Sequence, residues 1–416
     1  MTTSPDERAR LPTEHPYWRR NARVLAAGNL LINTGWNAAF AFLPLIVQGM
    51  GVEQHLELWV GAMMFGYYIT SCLLTPVWGV LADYYGRKSM VLRAGFGMAV
   101  GFGILSMVSN PLAFLCVLVL IGMANGFVPA VQALIATATP GKHVGGALSL
   151  SQAGAIIGTL LGPLAGAALI GLLPTGSALF AFTAALMLAA SMLALTSVRE
   201  EHVRPAHAFR IDLRGDVQRV SKVPGLKVLY YVQVLFALTV FGSMAIVSMY
   251  TMQLLADRPG FGGLGVETWV AITAMAFTAG GVAILPLWAW ALNRHSPERV
   301  LALILAGTAA TSLLQPLVRD PLELTLARTL FALFVWGLPP TLIRMIKERA
   351  PPGMEARTLS YGTALQQLGS AFAPLIAGLL APYLGLRGFF WLCSALVVVG
   401  WVLWVRHSRG VPSASP

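Results

Sequence analysis

The sequence predicts an all-α membrane protein of twelve transmembrane helices in two pseudo-symmetric six-helix bundles. Three observations predict it: a shortage of charge, charge-free runs of membrane-crossing length, and a repeat at half the chain. Of 416 residues, 56% are hydrophobic and 11% charged, against about a quarter charged in an ordinary soluble domain. A water-soluble fold cannot hide that much apolar surface. Residues 24–47, 58–82, 94–138 and 145–196 are nearly free of charge, and roughly 20 apolar residues cross a hydrocarbon layer about 30 Å thick. The 42 glycines and 25 prolines are tolerated in membrane bundles, where small residues let backbones approach. Barrel strands would be about ten residues long and would alternate polar with apolar, which these runs do not do.

Residues 1–21 form a polar tail, and the apolar run after it is too long for a signal peptide and lacks a small-residue cleavage site. It is therefore the first retained helix, near 22–47. Polar, charged and Pro/Gly breaks then separate helices near 57–82, 89–109, 111–138, 145–172 and 175–196, which complete the first bundle at 22–196. A cytoplasmic linker over 197–225 carries both signs of charge and no apolar run able to form a core. The second bundle, 226–405, holds helices near 226–254, 266–291, 298–317, 321–346, 355–381 and 385–405, followed by a tail at 406–416.

Lysine and arginine stay on the cytoplasmic side of membrane proteins, and here they concentrate at one set of helix ends. Arg8, Arg10, Arg19, Arg20 and Arg23 stand before and at the start of helix 1; Arg87, Lys88 and Arg93 follow helix 2; Lys142 lies between helices 4 and 5. The linker, Arg294, Arg299, Arg344, Lys347, Arg349, Arg357, Arg406 and Arg409 continue the series, and Arg258, Arg319 and Arg387 fall outside it. An even number of spans with both termini cytoplasmic explains the bias, in the plasma membrane of a bacterium (the inner membrane if Gram-negative). The net charge of +11 then faces anionic membrane lipid, and nucleic acid is not required as a partner.

The chain resembles itself at a spacing of about 211 residues. Gly126-Phe-Val-Pro129 matches Gly337-Leu-Pro-Pro340, and Leu148-Ser149 matches Leu359-Ser360. Gly162-Pro163-Leu-Ala-Gly166 matches Ala373-Pro374-Leu-Ile-Ala-Gly378 with one residue inserted. Two similar halves around a central cavity can rock and expose one site alternately to each side, which is a transporter's architecture.

Between helices 2 and 3 stands Gly79-Val-Leu-Ala-Asp83-Tyr-Tyr-Gly86-Arg87-Lys88. Glycines at both ends suit a tight turn and close helix approach, and Arg87 and Lys88 can reach the phosphate layer. These residues resemble the loop 2–3 motif of the major facilitator superfamily: glycine, any residue, leucine, alanine, aspartate, two positions, then glycine, arginine and lysine. The resemblance implies that Asp83 is a conformational switch latching the halves in the outward-facing state, with Arg357 at the start of helix 11 as its partner. The second-half counterpart, Trp288-Ala-Trp-Ala-Leu-Asn293-Arg294-His295, has lost the aspartate and most glycines.

Helix 5 carries Gly154, Gly158, Gly162-Pro163 and Gly166, a spacing of four that lines small residues along one face for close packing. It resembles the exporter-associated helix 5 motif of the same superfamily, with only the last glycine replaced, by Ala167. The whole pattern is similar to the drug–proton antiporter branch. That likeness implies multidrug-type export of small amphipathic organic compounds by alternating access, in exchange for protons; dedicated export of a siderophore or related metabolite, and uptake of an organic solute, stay open. Relatives in that branch often place an arginine in helix 4 ahead of the glycine seen here as Gly126, where this chain has Val117 and Leu118. The charge appears instead in the other half, at Arg328.

Arg328 sits roughly 9 Å below the start of helix 10 at about 1.5 Å per residue. A charge at that depth is expensive unless it faces a cavity or snorkels outward, so Arg328 is a candidate for a role with an anionic substrate or in coupling, against snorkelling or a structural bond with Glu323. No aspartate, glutamate or histidine lies in the middle of a predicted span, so proton antiport follows from the resemblance and not from the residues. Asn29, Asn33 and Asn37 make a polar stripe on helix 1 beside Trp36, and such a stripe belongs against protein or a wet cavity. The resemblance implies a cavity lined by helices 1, 4, 7 and 10. They offer Asn33, Trp36, Asn37, Asn125, Gln132, Gln233, Tyr250, Arg328 and Trp336. Gln366 and Gln367 on helix 11 serve there or in packing, and Tyr67 and Tyr68 read as packing residues.

No nucleophile with its base, paired aspartates or His-rich set lies in the spans, and Gly141-Lys142-His143 fails the pattern of a phosphate loop. An enzyme, a metal site and a cofactor are therefore not expected. Cys72, Cys116 and Cys393 lie in apolar runs as plain thiols. A monomer is the simplest expectation.

Overall fold

The computed structural model describes residues 17–52, 54–172, 176–200, 223, 225–256, 258, 261–351 and 355–410. Helix α1 is Trp18–Ala41, continued after a 51° bend by Leu43–Gly49. Pro44, at the start of the second piece, has no N–H to give to the first, so the single helix expected over 22–47 is bent. Then come α2 (Leu56–Tyr85), α3 (Arg87–Leu105), α4 (Pro111–Ala138), α5 (Gly141–Leu172) and α6 (Gly176–Ser197). The second half holds α7 (Leu226–Ala256), α8 (Val266–Arg294), α9 (Pro297–Leu317) and α10 (Pro321–Arg349). The run Glu355–Gly410 is broken where Gly385 takes φ 70, ψ 164, which divides it into α11 (355–384) and α12 (386–410). Pro382 and the positive φ of Gly385 together make this corner.

Among the described residues ten helices are long and apolar enough to cross a membrane, and the bent pair adds an eleventh. The last of the ten, Thr358–Ser408, has 51 residues broken at Gly385, long enough for two crossings, which accommodates the expected twelve.

The repeat is visible in local chemistry. The Asn110 side chain accepts from Leu112 N and Ala113 N ahead of Pro111, and Asp320 accepts from Glu323 N ahead of Pro321, the same cap 210 residues on (110 to 320). Both helices that follow are interrupted, α4 at Asn125-Gly126 and α10 at Trp336-Gly337. Each break frees a carbonyl, and an indole takes it. Trp78 Nε1 donates to Met123 O at 3.0 Å, and Trp288 Nε1 donates to Leu333 O at 2.7 Å, each pair 45 residues apart. Caps and indoles repeat at 210 but Gly126 and Gly337 repeat at 211, so α10 holds one more residue at its break.

In the first half α5 packs along α1 through the predicted glycine face. A Cβ on Gly154 would meet the Ala26 carbonyl, and one on Gly158 the Leu30 carbonyl; on Gly162 it would lie 2.6 Å from Asn37 Cβ, and on Gly166 2.6 Å from the Phe42 ring. Between halves, α2 packs on α11 and α5 on α8.

The two ends of the bundle differ. At the end where α1 finishes and α2 begins, one apolar core runs from the first half into Ile246, Met249, Leu254 and Phe389 of the second. There Ser248 Oγ donates to Ala41 O at 2.8 Å. A Cβ on Gly61 would strike the Pro374 carbonyl, and one on Gly378 would lie 2.5 Å from Glu57 O. At the α2–α3 end the second half has a separate core, and Gly79, Gly141, Gly145 and Gly146 have nothing within 4 Å of a Cβ position. The halves are interlocked at the first end, and among the described residues they share no buried core at the second.

Candidate functional site

Between the halves lies a cavity of about 520 Å³, within the range of small-molecule sites. Of the residues predicted to line it, Asn33, Trp36, Asn37, Arg328 and Trp336 do. The asparagine stripe works as its spacing implied. Asn33 Nδ2 donates to Asn29 O at 2.7 Å and Asn37 Nδ2 to Asn33 O at 2.8 Å, so the amides are braced against their own helix while the side chains border the cavity. Asn29 is turned away, buried against Ser151 on α5.

Aromatic faces make up much of the wall. Trp36 stacks on Phe40 with ring centroids 3.7 Å apart, and Tyr68 meets Phe241 across the halves at 5.9 Å. Tyr68, read as a packing residue, borders the cavity as well. Trp336 fits beside α8 because a Cβ at Gly281 would run into its ring.

Arg328 is 2% exposed. Its Nη1 donates to Gln315 Oε1 at 3.2 Å and lies 3.4 Å from Ser243 Oγ, and its guanidinium lies 4.7 Å from the centre of the Phe277 ring. It therefore neither snorkels nor pairs with Glu323, whose carboxylate accepts from Arg319 N. Gln315 is supplied by a short 3-10 turn at Gln315–Leu317; its place on the span boundary gave no sign of a buried role.

The remaining candidates lie elsewhere. Tyr250 is fully buried and accepts from Arg387 Nε at 3.2 Å, so it anchors α12 to α7 instead of lining the cavity. Gln233 is also buried, donating to Gln366 Oε1 at 3.0 Å, and it is Gln366 that borders the cavity. Asn125 sits at the α4 break, where it donates to Ser71 Oγ at 2.9 Å. Gln132 is exposed in a separate depression with Pro129 and Ser149. Helices α1, α7 and α10 line the cavity as expected, whereas α4 contributes nothing to the described lining and α2, α5, α8 and α11 contribute in addition. Thr159 and Pro163 of α5, and Phe277 on α8, are lining residues that the sequence reading missed.

At the α2–α3 corner, Gly86 has φ 92, which lets the chain turn within one residue. Glu200 then accepts from both Arg87 N and Lys88 N at 2.8 Å, supplying the acceptors that the first turn of α3 lacks. Its role was not foreseen, because 112 residues separate it from Lys88. The Lys88 ammonium donates to Leu195 O at 3.0 Å and Val198 O at 2.7 Å, drawn by the unpaired carbonyls ending α6. Gly79 makes no close approach. The Asp83 and Arg357 side chains, and so the expected latch, lie outside the described residues.

Two repeated six-helix halves, interlocked at one end and with separate cores at the other, and an aromatic–amide cavity between them define a membrane carrier for organic solutes. The chain belongs to the Major Facilitator Superfamily, whose model matches residues 25–278 and 263–416. Multidrug resistance protein MdtG of Salmonella typhimurium is 30% identical over 397 residues, covering 93% of this chain and 95% of that protein. MdtG of Rahnella sp. is 29% identical over 403 residues, covering 94% and 95%. Among solved structures, the nucleoside transporter NupG superposes with a TM-score of 0.77 at 11% identity, covering 95% of this chain and 100% of that one. A bacterial homologue of the lysosomal transporter Spinster, inward-facing and occupied, gives 0.75 at 13%, covering 96% and 98%. The human organic anion transporter MFSD10 gives 0.68 at 17%, covering 94% and 100%. At these identities the structures show a shared fold alone.

Proposed function

We propose that this protein exports small amphipathic organic compounds, as a multidrug-type carrier, by alternating access in exchange for protons. The observation that carries the reading is the cavity itself: rings accept varied apolar shapes and amides satisfy varied polar groups, as Trp36, Phe241, Trp336, Asn33, Asn37 and Gln366 do here. The relatives' name, multidrug resistance protein, supports it. The basic residues at the α2–α3 end support a plasma-membrane protein with both termini inside, which makes that end cytoplasmic and this state inward-facing.

In the opposite state the halves, 22–196 and 226–405, rock as units joined by 197–225, between tails 1–21 and 406–416. Asp83 then latches to Arg357, and Gly79 gains the close approach it lacks here. One copy suffices for this cycle. Because no described lining residue is a carboxylate or imidazole, the proton is carried at a group outside the cavity wall. Arg328 favours a second reading, dedicated export of one siderophore or related metabolite.

Purified protein in liposomes enclosing a pH-sensitive dye, under an imposed proton gradient, tests the proposal. Cationic drugs and ferric-chelator metabolites are added in turn. Proton movement that depends on substrate supports antiport; substrate flux without it removes the coupling; flux of a single chelator only favours the second reading.

A further inference from the structure

Arg328 is the one charged residue among the described residues lining the cavity, and the described side chains around it leave that charge uncompensated. Both of its acceptors are neutral and served by Nη1 alone, and Nε and Nη2 have no acceptor among the described residues. The acids nearest in sequence are committed elsewhere: Asp320 caps α10 and lies 3.6 Å from Arg258, and Glu323 accepts from Arg319 N. A buried cation without a counter-charge is expensive, and no carboxylate among the described residues contacts it.

The geometry points to a subsite for an oxyanion. We infer that the cavity takes organic anions, with a carboxylate, sulfonate or phosphonate of the solute seated on the unused Nε and Nη2 edge of Arg328. This rests on the exporter reading and names its substrate class. A guanidinium edge offers two parallel donors that match such a group, and the largely apolar wall strengthens the bond. Phe277 and Gln315 position the guanidinium, while the apolar body of the solute lies against rings such as Trp36 and Trp336. The other polar lining groups, amides and hydroxyls, supply no negative charge to hold a lipophilic cation.

Three fluorescent amphiphiles with one common ring system test this: dansyl-leucine, the uncharged dansyl-leucinamide, and cationic dansylcadaverine. Binding to the whole protein in detergent is read from dansyl emission, and transport from proteoliposomes. Wild type is expected to bind the acid about tenfold to a hundredfold tighter than the amide, the span of one charge-assisted hydrogen-bonded contact, and the cation most weakly. Arg328→Gln is expected to bind acid and amide alike while retaining its affinity for the amide, which also shows that it folds. Arg328→Lys, a point charge without the fork, keeps part of the preference. Equal binding of acid and amide by wild type overturns the inference without any variant, and so does a preference that survives in Arg328→Gln. Transport of the amide or the cation with no preference for the acid sinks the anion subsite and leaves the exporter reading standing. Transport of none of the three sinks the exporter reading with it.

Discussion

Replacing Gly61 by alanine should move the protein from one conformation to the other without unfolding it. Gly61 on α2 faces α11 at the interlocked end, where an added Cβ would strike the Pro374 carbonyl and lie 3.1 Å from Gly378 Cα. Both obstacles are backbone, so no side chain can swing away. Overpacking of this kind costs about 1–3 kcal/mol, and here it falls on one state, because separating the halves at this end removes the clash. With about 1.4 kcal/mol to each tenfold, the closed-end population should drop by roughly five- to 150-fold relative to the open-end state. Spin labels at Met107 and Tyr383, each 87% exposed and on opposite halves, would read the change in a background with Cys72, Cys116 and Cys393 replaced. A longer Met107–Tyr383 distance in Gly61→Ala at an unchanged melting temperature is expected. The reasoning is refuted if the distance distribution stays as in wild type, or if the melting temperature falls while the distances do not move.

Gly158→Ala presses on the Leu30 carbonyl and lies 3.0 Å from Asn33 Cβ within one half, so no rocking relieves it; a loss of about 1–3 kcal/mol should appear as a lower melting temperature. Glu200→Ala removes both acceptors from the start of α3 and should cost roughly 1.5–3 kcal/mol, read as faster hydrogen exchange over residues 87–90, with Glu200→Gln intermediate. Trp78→Phe and Trp288→Phe each delete one donor to a carbonyl at a helix break. Each should lower stability by about 0.5–1.5 kcal/mol, and because the sites are far apart in their separate halves the double variant should show the sum; a single loss much larger than the other would show that the two breaks are not equivalent.

The sequence by itself determined the solvent, the number of crossings and the repeat. Burying more than half the residues as apolar side chains leaves only helices that satisfy their own backbone in lipid, and the Gly126–Gly337 spacing exposed the duplication before any contact was known. It also revealed Asn33 and Asn37, since a spacing of four fixes a shared face on one helix, and Arg328, since depth in a span follows from position along it. The glycine stripe of α5 was legible for the same reason, although only the structure named α1 as the surface it meets.

What the tertiary structure decided is how each helix is rotated and which distant residues meet. Tyr250 turns from the cavity because Arg387, 137 residues later, reaches its hydroxyl. Gln233 yields its place to Gln366, and Asn125 is taken by Ser71. Glu200 and Gln315 carry no local pattern; each matters through the partner folding brings to it, α3's first N–H groups in one case and a buried guanidinium in the other. The interlocked end is likewise a product of two backbones in contact at Gly61 and Gly378. Periodicity within a helix is a one-dimensional property, whereas the choice of neighbour and the state of a rocking pair depend on packing between helices, which no single stretch of sequence contains.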